Sequence, residues 1–297
     1  MVSPLENQGQ VHNFISKTYT DTYSYISPEK ADLSGRSVFI TGASKGIGRS
    51  TALSYAAAGC GKIAIGARSD LSSLEHDIKQ AAANAGRKKA PKVVAVKLDV
   101  ASEDSVKAAA ETITKDFGGA LDVLVCNAGY LEDWKPIGEL NAAEWWTTYE
   151  INVKGVALTL NSCIPLLLKG DLKTAILTSS YGGLMVRPGG SGYQSAKFAV
   201  CRLAEFMDVE YADKGLVCFA IHPGSVKTEL AYGLPEEMHK MLVDEPELPA
   251  DTIMWLGKEH RPWLGGRYVS VCWDMEELEK KKDDIVQRDL LKFRMVV

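Results

Sequence analysis

Ser37-Val38-Phe39-Ile40-Thr41-Gly42-Ala43-Ser44-Lys45-Gly46-Ile47-Gly48 decides the fold of this 297-residue chain. Val38-Phe39-Ile40 has no polar alternation, the pattern of a strand buried on both faces of a parallel sheet. Three glycines follow in the spacing Gly-x-x-x-Gly-x-Gly, and residues 49–58 are rich in small residues and read as a helix. A strand, a glycine-rich turn and a helix N-terminus make a phosphate cradle. Glycine lets the main chain approach a pyrophosphate, and the free N–H groups and dipole of the first helical turn attract its charge. An ordinary βα turn is the simpler alternative, but the strand before and the helix after weigh against it.

Outward from this turn, strand and helix patterns alternate as far as about residue 225. That alternation implies an α/β domain with a parallel sheet and helices on both faces, and right-handed crossovers make the sheet doubly wound in the Rossmann manner. Ligands of such sheets bind beyond the carboxyl ends of the strands. Gly42, Asp99, Asn127, Ser180 and Pro223 each stand just past an expected strand, so they converge on one edge. Residues 1–32 lack a period and carry Tyr19, Tyr23, Tyr25 and Pro28; they read as an N-terminal arm packed on the body or on a partner subunit. Residues 33–275 read as one catalytic domain, with a last strand within 263–271. Residues 276–297 read as a charged, helical C-terminal tail.

A second group of residues carries chemistry. In Tyr193-Gln194-Ser195-Ala196-Lys197 a phenol and an ammonium lie one helical turn apart on the same face, with Ser180 thirteen residues upstream. An ammonium that close favours the phenolate, so the Tyr193 pKa is expected to fall from about 10 towards neutrality. A tyrosine so tuned exchanges a proton with a carbonyl or alcohol oxygen near pH 7. Tyr and Lys at this spacing also occur on ordinary solvated helices; the remaining motifs tell against that reading here.

Taken in order, Thr41-Gly42 with its spaced glycines, Asp99, Asn127-Ala128-Gly129, Asn152, Ser180, the Tyr193/Lys197 pair, Pro223-Gly224 and Thr228 resemble the short-chain dehydrogenase/reductase family over about residues 33–271. One small departure is Cys126, where many relatives carry a second Asn. The resemblance implies a catalytic quartet of Asn152, Ser180, Tyr193 and Lys197. Tyr193 would be the general acid/base, Lys197 would tune it and bond the nicotinamide ribose, and Ser180 would stabilise charge on the reacting oxygen. Asn152 would hold a water linking Lys197 to solvent. It further implies a cofactor site of Gly42, Ser44, Lys45, Gly46, Ile47, Gly48, Arg68, Asp99, Asn127, Gly129, Tyr193, Lys197, Val226 and Thr228. Ser179 is the alternative donor to Ser180, and Asn152 is alternatively a helix residue satisfied by main chain. His222 reads as the end of a strand.

Strand two, Lys62-Ile63-Ala64-Ile65-Gly66-Ala67-Arg68, ends without the carboxylate that would bond both ribose hydroxyls of NAD. Arg68 in its place suits a 2′-phosphate, which a guanidinium binds in a planar fork, and Lys45 adds a second charge. Asp70, two residues on, is the dissenting carboxylate. The expectation is NADP(H).

Residues 229–250 change character, with Pro235, Pro246 and Pro249 among Tyr232, Leu234, Met238, Met241 and Leu242; they resemble the family's substrate lid. Tyr130, Trp134, Tyr181, Leu184, Met185, Tyr232 and Met238 are the expected pocket lining. It suits a medium or large apolar, cyclic ketone of the secondary-metabolite kind. A net charge of −4 with mixed signs argues against nucleic acid as a partner. No metal is expected, because the six cysteines lack metal-binding spacing and read as buried thiols. No membrane-spanning run or signal peptide is visible, so a soluble, reducing, cytoplasmic setting follows. A homodimer or homotetramer is expected through residues 142–168 and 192–213, which offer Trp145, Trp146, Leu160, Leu166, Leu203 and Phe206. The leading expectation is thus an NADP(H)-dependent carbonyl reductase or alcohol dehydrogenase. A non-redox enzyme on the same fold and a regulatory dinucleotide sensor are the alternatives, and the complete quartet counts against both.

Overall fold

A computed structural model describes residues 14–295. Strands β1 (Ser37–Thr41), β2 (Lys62–Ala67), β3 (Lys92–Lys97), β4 (Val123–Cys126), β5 (Thr174–Thr178), β6 (Val217–His222) and β7 (Tyr268–Ser270) form one parallel sheet in the order β3-β2-β1-β4-β5-β6-β7. The order reverses between β1 and β4, which opens a crevice at their carboxyl ends. Strands β1, β4, β5 and β6 are buried at every position, which is why their sequences run apolar without alternation. Edge strand β3 alternates instead and exposes Lys92 and Lys97, charges that discourage pairing with another chain.

Helices α1 (Gly46–Ala57), α2 (Ser72–Asn84), α3 (Glu103–Phe117), α4 (Ala142–Tyr149), α5 (Gly155–Leu167) and α6 (Ser191–Tyr211) make the crossovers. Local chemistry sets their ends. Ser102 caps α3 by accepting from the Ser105 N–H, and Gly118 ends it in the left-handed conformation at φ +80°. A π-helical turn, Glu150–Lys154, joins α4 to α5. Helix α7 (Glu247–Gly257) is buried at every position after Glu247 and packs against α1.

Four sequence readings need correction. Pro246 and Pro249 are not breakers: one precedes α7 and the other sits in its first turn, where no N–H is needed. The last strand is only three residues long, because a 3₁₀ turn at Pro262–Leu264 and Gly265-Gly266 precede it. The tail is two short helices, α8 (Met275–Lys280) and α9 (Lys282–Gln287), followed by irregular chain. Its charge order explains the break: lysine in the last turn of α8 stabilises a helix end, and Asp283-Asp284 in the first turn of α9 stabilise a start. Leu160 and Leu166, read as subunit contacts, are buried in the chain's own core.

The described part of the N-terminal arm packs on this same chain. Thr18 pairs with Trp273 in an antiparallel bridge, and the Tyr19 N–H donates to the Cys272 carbonyl at 2.8 Å. Tyr19 and Tyr23 stack with centroids 3.6 Å apart, and Tyr23 Oη accepts from the Met275 N–H at 2.8 Å. Ile15 and Ile26 are fully buried. Residues 1–13 of the arm and 296–297 of the tail lie outside the described residues.

If the arm belongs to the folded body, Ile26→Ala removes a buried side chain and leaves a cavity. Urea unfolding should then show a single transition with stability reduced by about 2–4 kcal/mol. An unchanged midpoint would mean that the arm adds nothing to the fold.

Candidate active site

The glycine turn is built around close approaches. Gly42 has φ +66°, and a Cβ there would lie 2.7 Å from Ala128 Cα. At Gly48 a Cβ would stand 2.4 Å from the Gly42 carbonyl oxygen and 2.5 Å from Asn127 Nδ2. Only the bare main chain of α1 fits against the turn there. Asn127 fastens the arrangement: Nδ2 donates to the carbonyls of Thr41 and Gly42, both at 3.1 Å, and its N–H donates to Thr41 Oγ1 at 3.0 Å. Asn127 therefore spends its amide donors on holding the end of β4 to the turn.

In front of this turn lies a cleft of about 440 Å³. Its walls include Ser44, Lys45, Gly46, Ile47, Arg68, Asp99, Gly129 and Thr228, with Tyr193 and Lys197 at one end. Arg68 is exposed at the rim and makes no ion pair among the described residues. Lys45 is paired with Glu229 across the mouth, so its charge is already engaged. Asp70 is absent from the lining, and its carboxylate bonds the Ser72 N–H and hydroxyl instead. Asp99 faces the cleft while accepting from the Ala101 N–H at 3.0 Å. Val226 lines a different cavity. A glycine cradle at a helix N-terminus, with the cleft running on to Asp99, fits a dinucleotide.

A second cavity of about 510 Å³ adjoins the first and shares Ile47, Tyr193, Pro223, Thr228 and Leu230 with it. Tyr193 thus stands at the junction. The Ser180 hydroxyl is hydrogen-bonded to its phenol. Ser180 also caps the short 3₁₀ helix Tyr181–Leu184, its Oγ accepting from the Gly182 N–H at 3.0 Å, which leaves its proton for the Tyr193 phenol or another acceptor on the cavity side. Ser179 is turned away: it is buried and donates to the Lys197 carbonyl at 2.7 Å. Lys197 is buried, donates to the Thr178 carbonyl at 2.9 Å, and sits 5.5 Å from the centroid of the Tyr193 ring.

The protonation states differ from the sequence expectation. Burial pushes the Tyr193 phenol up to about 12; the Ser180 bond pulls it down, and the nearby Glu132 charge pushes it further up. Burial pulls the Lys197 ammonium down to about 8. Spacing along a helix identifies a charged neighbour but not the dielectric around both groups, and here burial is the largest influence on each.

Asn152 lies in the π turn, behind the cleft wall. Its Nδ2 donates to the carbonyls of Tyr130 at 2.7 Å and Thr148 at 2.9 Å, and its Oδ1 accepts from the Tyr130 N–H at 3.2 Å. Both amide protons are committed to main chain, leaving one lone pair.

Glu132 was not visible as a site residue. Buried to 2 % exposure, it accepts from the Tyr193 N–H at 2.8 Å and the Thr148 hydroxyl at 2.7 Å, fixing the first turn of α6 to α4. His222 does end β6, and its Nδ1 accepts from the Tyr181 N–H at 3.1 Å on the wall of the second cavity. Of the expected pocket lining, Trp134, Tyr181, Met185 and Met238 are there. Tyr130 instead bonds Glu144, Leu184 packs on the core, and Tyr232 is exposed against His239. Arg187 and Gln194 line the cavity without having been expected. These residues come from separate segments, and no local spacing connects them.

The family model for short chain dehydrogenases matches residues 36–239. The chain belongs to the short-chain dehydrogenase family. Its members are oxidoreductases that use NAD(P). Short chain dehydrogenase mpl6 of Monascus purpureus is 49 % identical over 284 residues, covering 96 % of this chain and 97 % of the relative. The alcohol dehydrogenase of Thermococcus sibiricus, complexed with 5-hydroxy-NADP, superposes with a TM-score of 0.68 at 29 % identity, covering 79 % of this chain and 95 % of that one. Levodione reductase superposes with a TM-score of 0.70 at 27 % identity, covering 80 % and 96 %.

In this short-chain dehydrogenase, the charged form of Lys197 is less favourable in the fold than in the unfolded chain. It therefore subtracts stability fully below about pH 8, and the penalty fades as pH rises from about 8 towards 10.5. Relative to Lys197→Met, the wild type should gain roughly 3 kcal/mol across that window. Urea unfolding of both proteins at pH 7 and 10.5 gives the difference; parallel pH profiles would mean that the ammonium is not buried as described.

Proposed function

We propose that this short-chain dehydrogenase depends on NADP(H) and interconverts a ketone and a secondary alcohol, with reduction of a medium or large, apolar, cyclic carbonyl of the secondary-metabolite kind as its main direction. The observation that carries the reading is the position of Tyr193 at the junction of the two cavities, with Ser180 on one side and Lys197 on the other.

When bound, the nicotinamide supplies or accepts the hydride. The chain's own residues handle the proton and the charge. With a pKa near 12, Tyr193 keeps its proton at neutral pH, the form that donates to a carbonyl oxygen. The Ser180 hydroxyl, which bonds the Tyr193 phenol, would turn its proton to the same oxygen and stabilise charge developing there. Lys197 spends one N–H on Thr178 and has two more for a ribose hydroxyl and a water. Asn152 would take part through its remaining lone pair, or act by clamping the π turn to Tyr130.

The NADP preference rests on the exposed, unpaired Arg68, on the absence of a carboxylate at the end of β2, and on the NADP analogue held by the Thermococcus protein. Lys45 would join in by leaving Glu229. Leu131, Trp134, Met185, Leu234, Met238 and Met241 give the substrate cavity its apolar character. The reading extends to a cytoplasmic setting. No helix among the described residues is long and apolar enough to cross a membrane.

The experiment is oxidation of NADPH and, separately, NADH across a panel of bulky cyclic ketones, with Tyr193→Phe as control. NADPH should be preferred, and the mutant should lose about 10²–10⁴-fold in rate. Alcohol oxidation needs the phenolate, so its rate should climb above neutral pH. Tight NADPH binding without turnover of any ketone would move the reading to the non-redox or sensor alternative.

We also propose a homodimer or homotetramer through the helices after β4 and β5. Trp146 at 57 %, Phe206 at 52 % and Val209 at 84 % exposure leave large apolar area on them, and Trp145, Trp146 and Tyr149 stack into one slab. Light scattering should give a mass two or four times that of the 32.3 kDa chain, and a monomeric mass would overturn this.

A further inference from the structure

The second cavity has two unlike walls. The lid side presents Leu230, Leu234, Met238, Met241 and Leu242, with no charged side chain among these residues. The opposite side, from residues 180–194, presents Ser180, Tyr181, Arg187 and Gln194. Arg187 is the one charged residue lining this cavity among the described residues. It is only partly exposed, and its guanidinium forms no ion pair or side-chain hydrogen bond among the described residues.

Its main chain, by contrast, is held. The Arg187 N–H donates to Gln194 Oε1 at 2.9 Å, and Gln194 is buried in the helical turn that carries Tyr193. That bond uses the amide oxygen and turns Nε2 of Gln194 into a spare donor at the cavity wall. The Arg187 charge also acts on the Tyr181 phenol beside it, lowering a pKa that burial raises. A guanidinium partly withdrawn from water, facing a cavity and lacking a carboxylate, is a cost that an anionic ligand would offset. Its planar fork of donors matches two oxygens sharing one negative charge.

We propose that Arg187 is a specificity-determining residue that anchors a delocalised oxyanion on the substrate, a carboxylate or the acidic enol of a 1,3-dicarbonyl. The substrate is then amphipathic. Its reacting carbonyl meets Tyr193 and Ser180, its acidic group meets Arg187 with Gln194 alongside, and its apolar body lies against the lid. This rests on the carbonyl-reductase reading for the reacting carbonyl, but not for the anchoring itself.

The test uses matched pairs: 4-acetylbenzoate with its methyl ester, and 2-acetylcyclohexane-1,3-dione with its enol methyl ether. Affinities are measured by calorimetry on the NADP⁺-loaded protein, as wild type, Arg187→Met and Arg187→Lys, with urea midpoints checking that each variant folds. NADPH oxidation is followed in parallel. In the wild type at least one acidic compound should bind about tenfold or more tighter than its neutral partner, a ratio that falls towards one in Arg187→Met and partly returns in Arg187→Lys. The pair that shows the effect tells carboxylate from enol. Equal affinities within both pairs, a preference that survives Arg187→Met, or no binding of either acid would overturn the proposal. Arg187-dependent binding without any NADPH oxidation would sink the reductase reading and leave the anchor standing. Turnover of the neutral compounds alone would do the reverse.

Discussion

The absence of a side chain at position 48 is the constraint on which the rest of the site depends. Any Cβ there would fall within 2.5 Å of the Gly42 carbonyl oxygen and Asn127 Nδ2. Helix α1 would have to withdraw, Asn127 would lose its grip on the turn, and the ends of β1 and β4 would part. The cleft exists because three segments meet at one point with nothing but main chain between them. The helix dipole and its free N–H groups then face the space where a pyrophosphate would lie. The far wall of the same crevice inherits its shape, since Gly46 lies against Thr228, just before residues 229–250.

Around Tyr193 the electrostatic terms oppose one another. Burial holds the proton on the phenol and draws it away from the ammonium; Ser180 works in the other direction and Glu132 with burial. A buried carboxylate bonded to the main chain of the residue whose phenol it disfavours as an anion sets position and acidity at once. The outcome is a protonated acid beside a cation that loses its charge easily, which suits proton donation at neutral pH better than proton abstraction.

Fold and motif order were legible in the sequence because each depends on local pattern: the apolar run of β1, the glycine spacing, and the placement of polar residues just past strand ends. What was not legible depends on long-range packing. The pKa of Tyr193 follows from the dielectric of a closed cleft, which the Tyr-x-x-x-Lys spacing does not encode. Glu132, Arg187 and Gln194 reach the site from different segments. Val226 lines only the second cavity, whereas Thr228, two residues on, lines both. Pro249 looked like a breaker because its tolerance in a first helical turn shows only once the helix start is known. The division of the tail at Lys281 was readable in principle from the order of its lysines and aspartates, had charge been weighed against the helical period.

The interlock of arm and tail has a bearing on how the chain folds. Thr18 meets Trp273, Tyr25 meets Glu279, and Glu245, at the end of the lid, donates through its N–H to the Thr20 carbonyl at 2.8 Å. These contacts join residues more than two hundred positions apart, so this part of the fold closes at a large cost in loop entropy. The glycine turn needs only β1, β2 and β4 around it, whereas Glu245 is held only once the segment around Thr20 has docked beside residues 272–279. The glycine turn and the anchoring of Glu245 therefore rest on pairings of very different sequence separation.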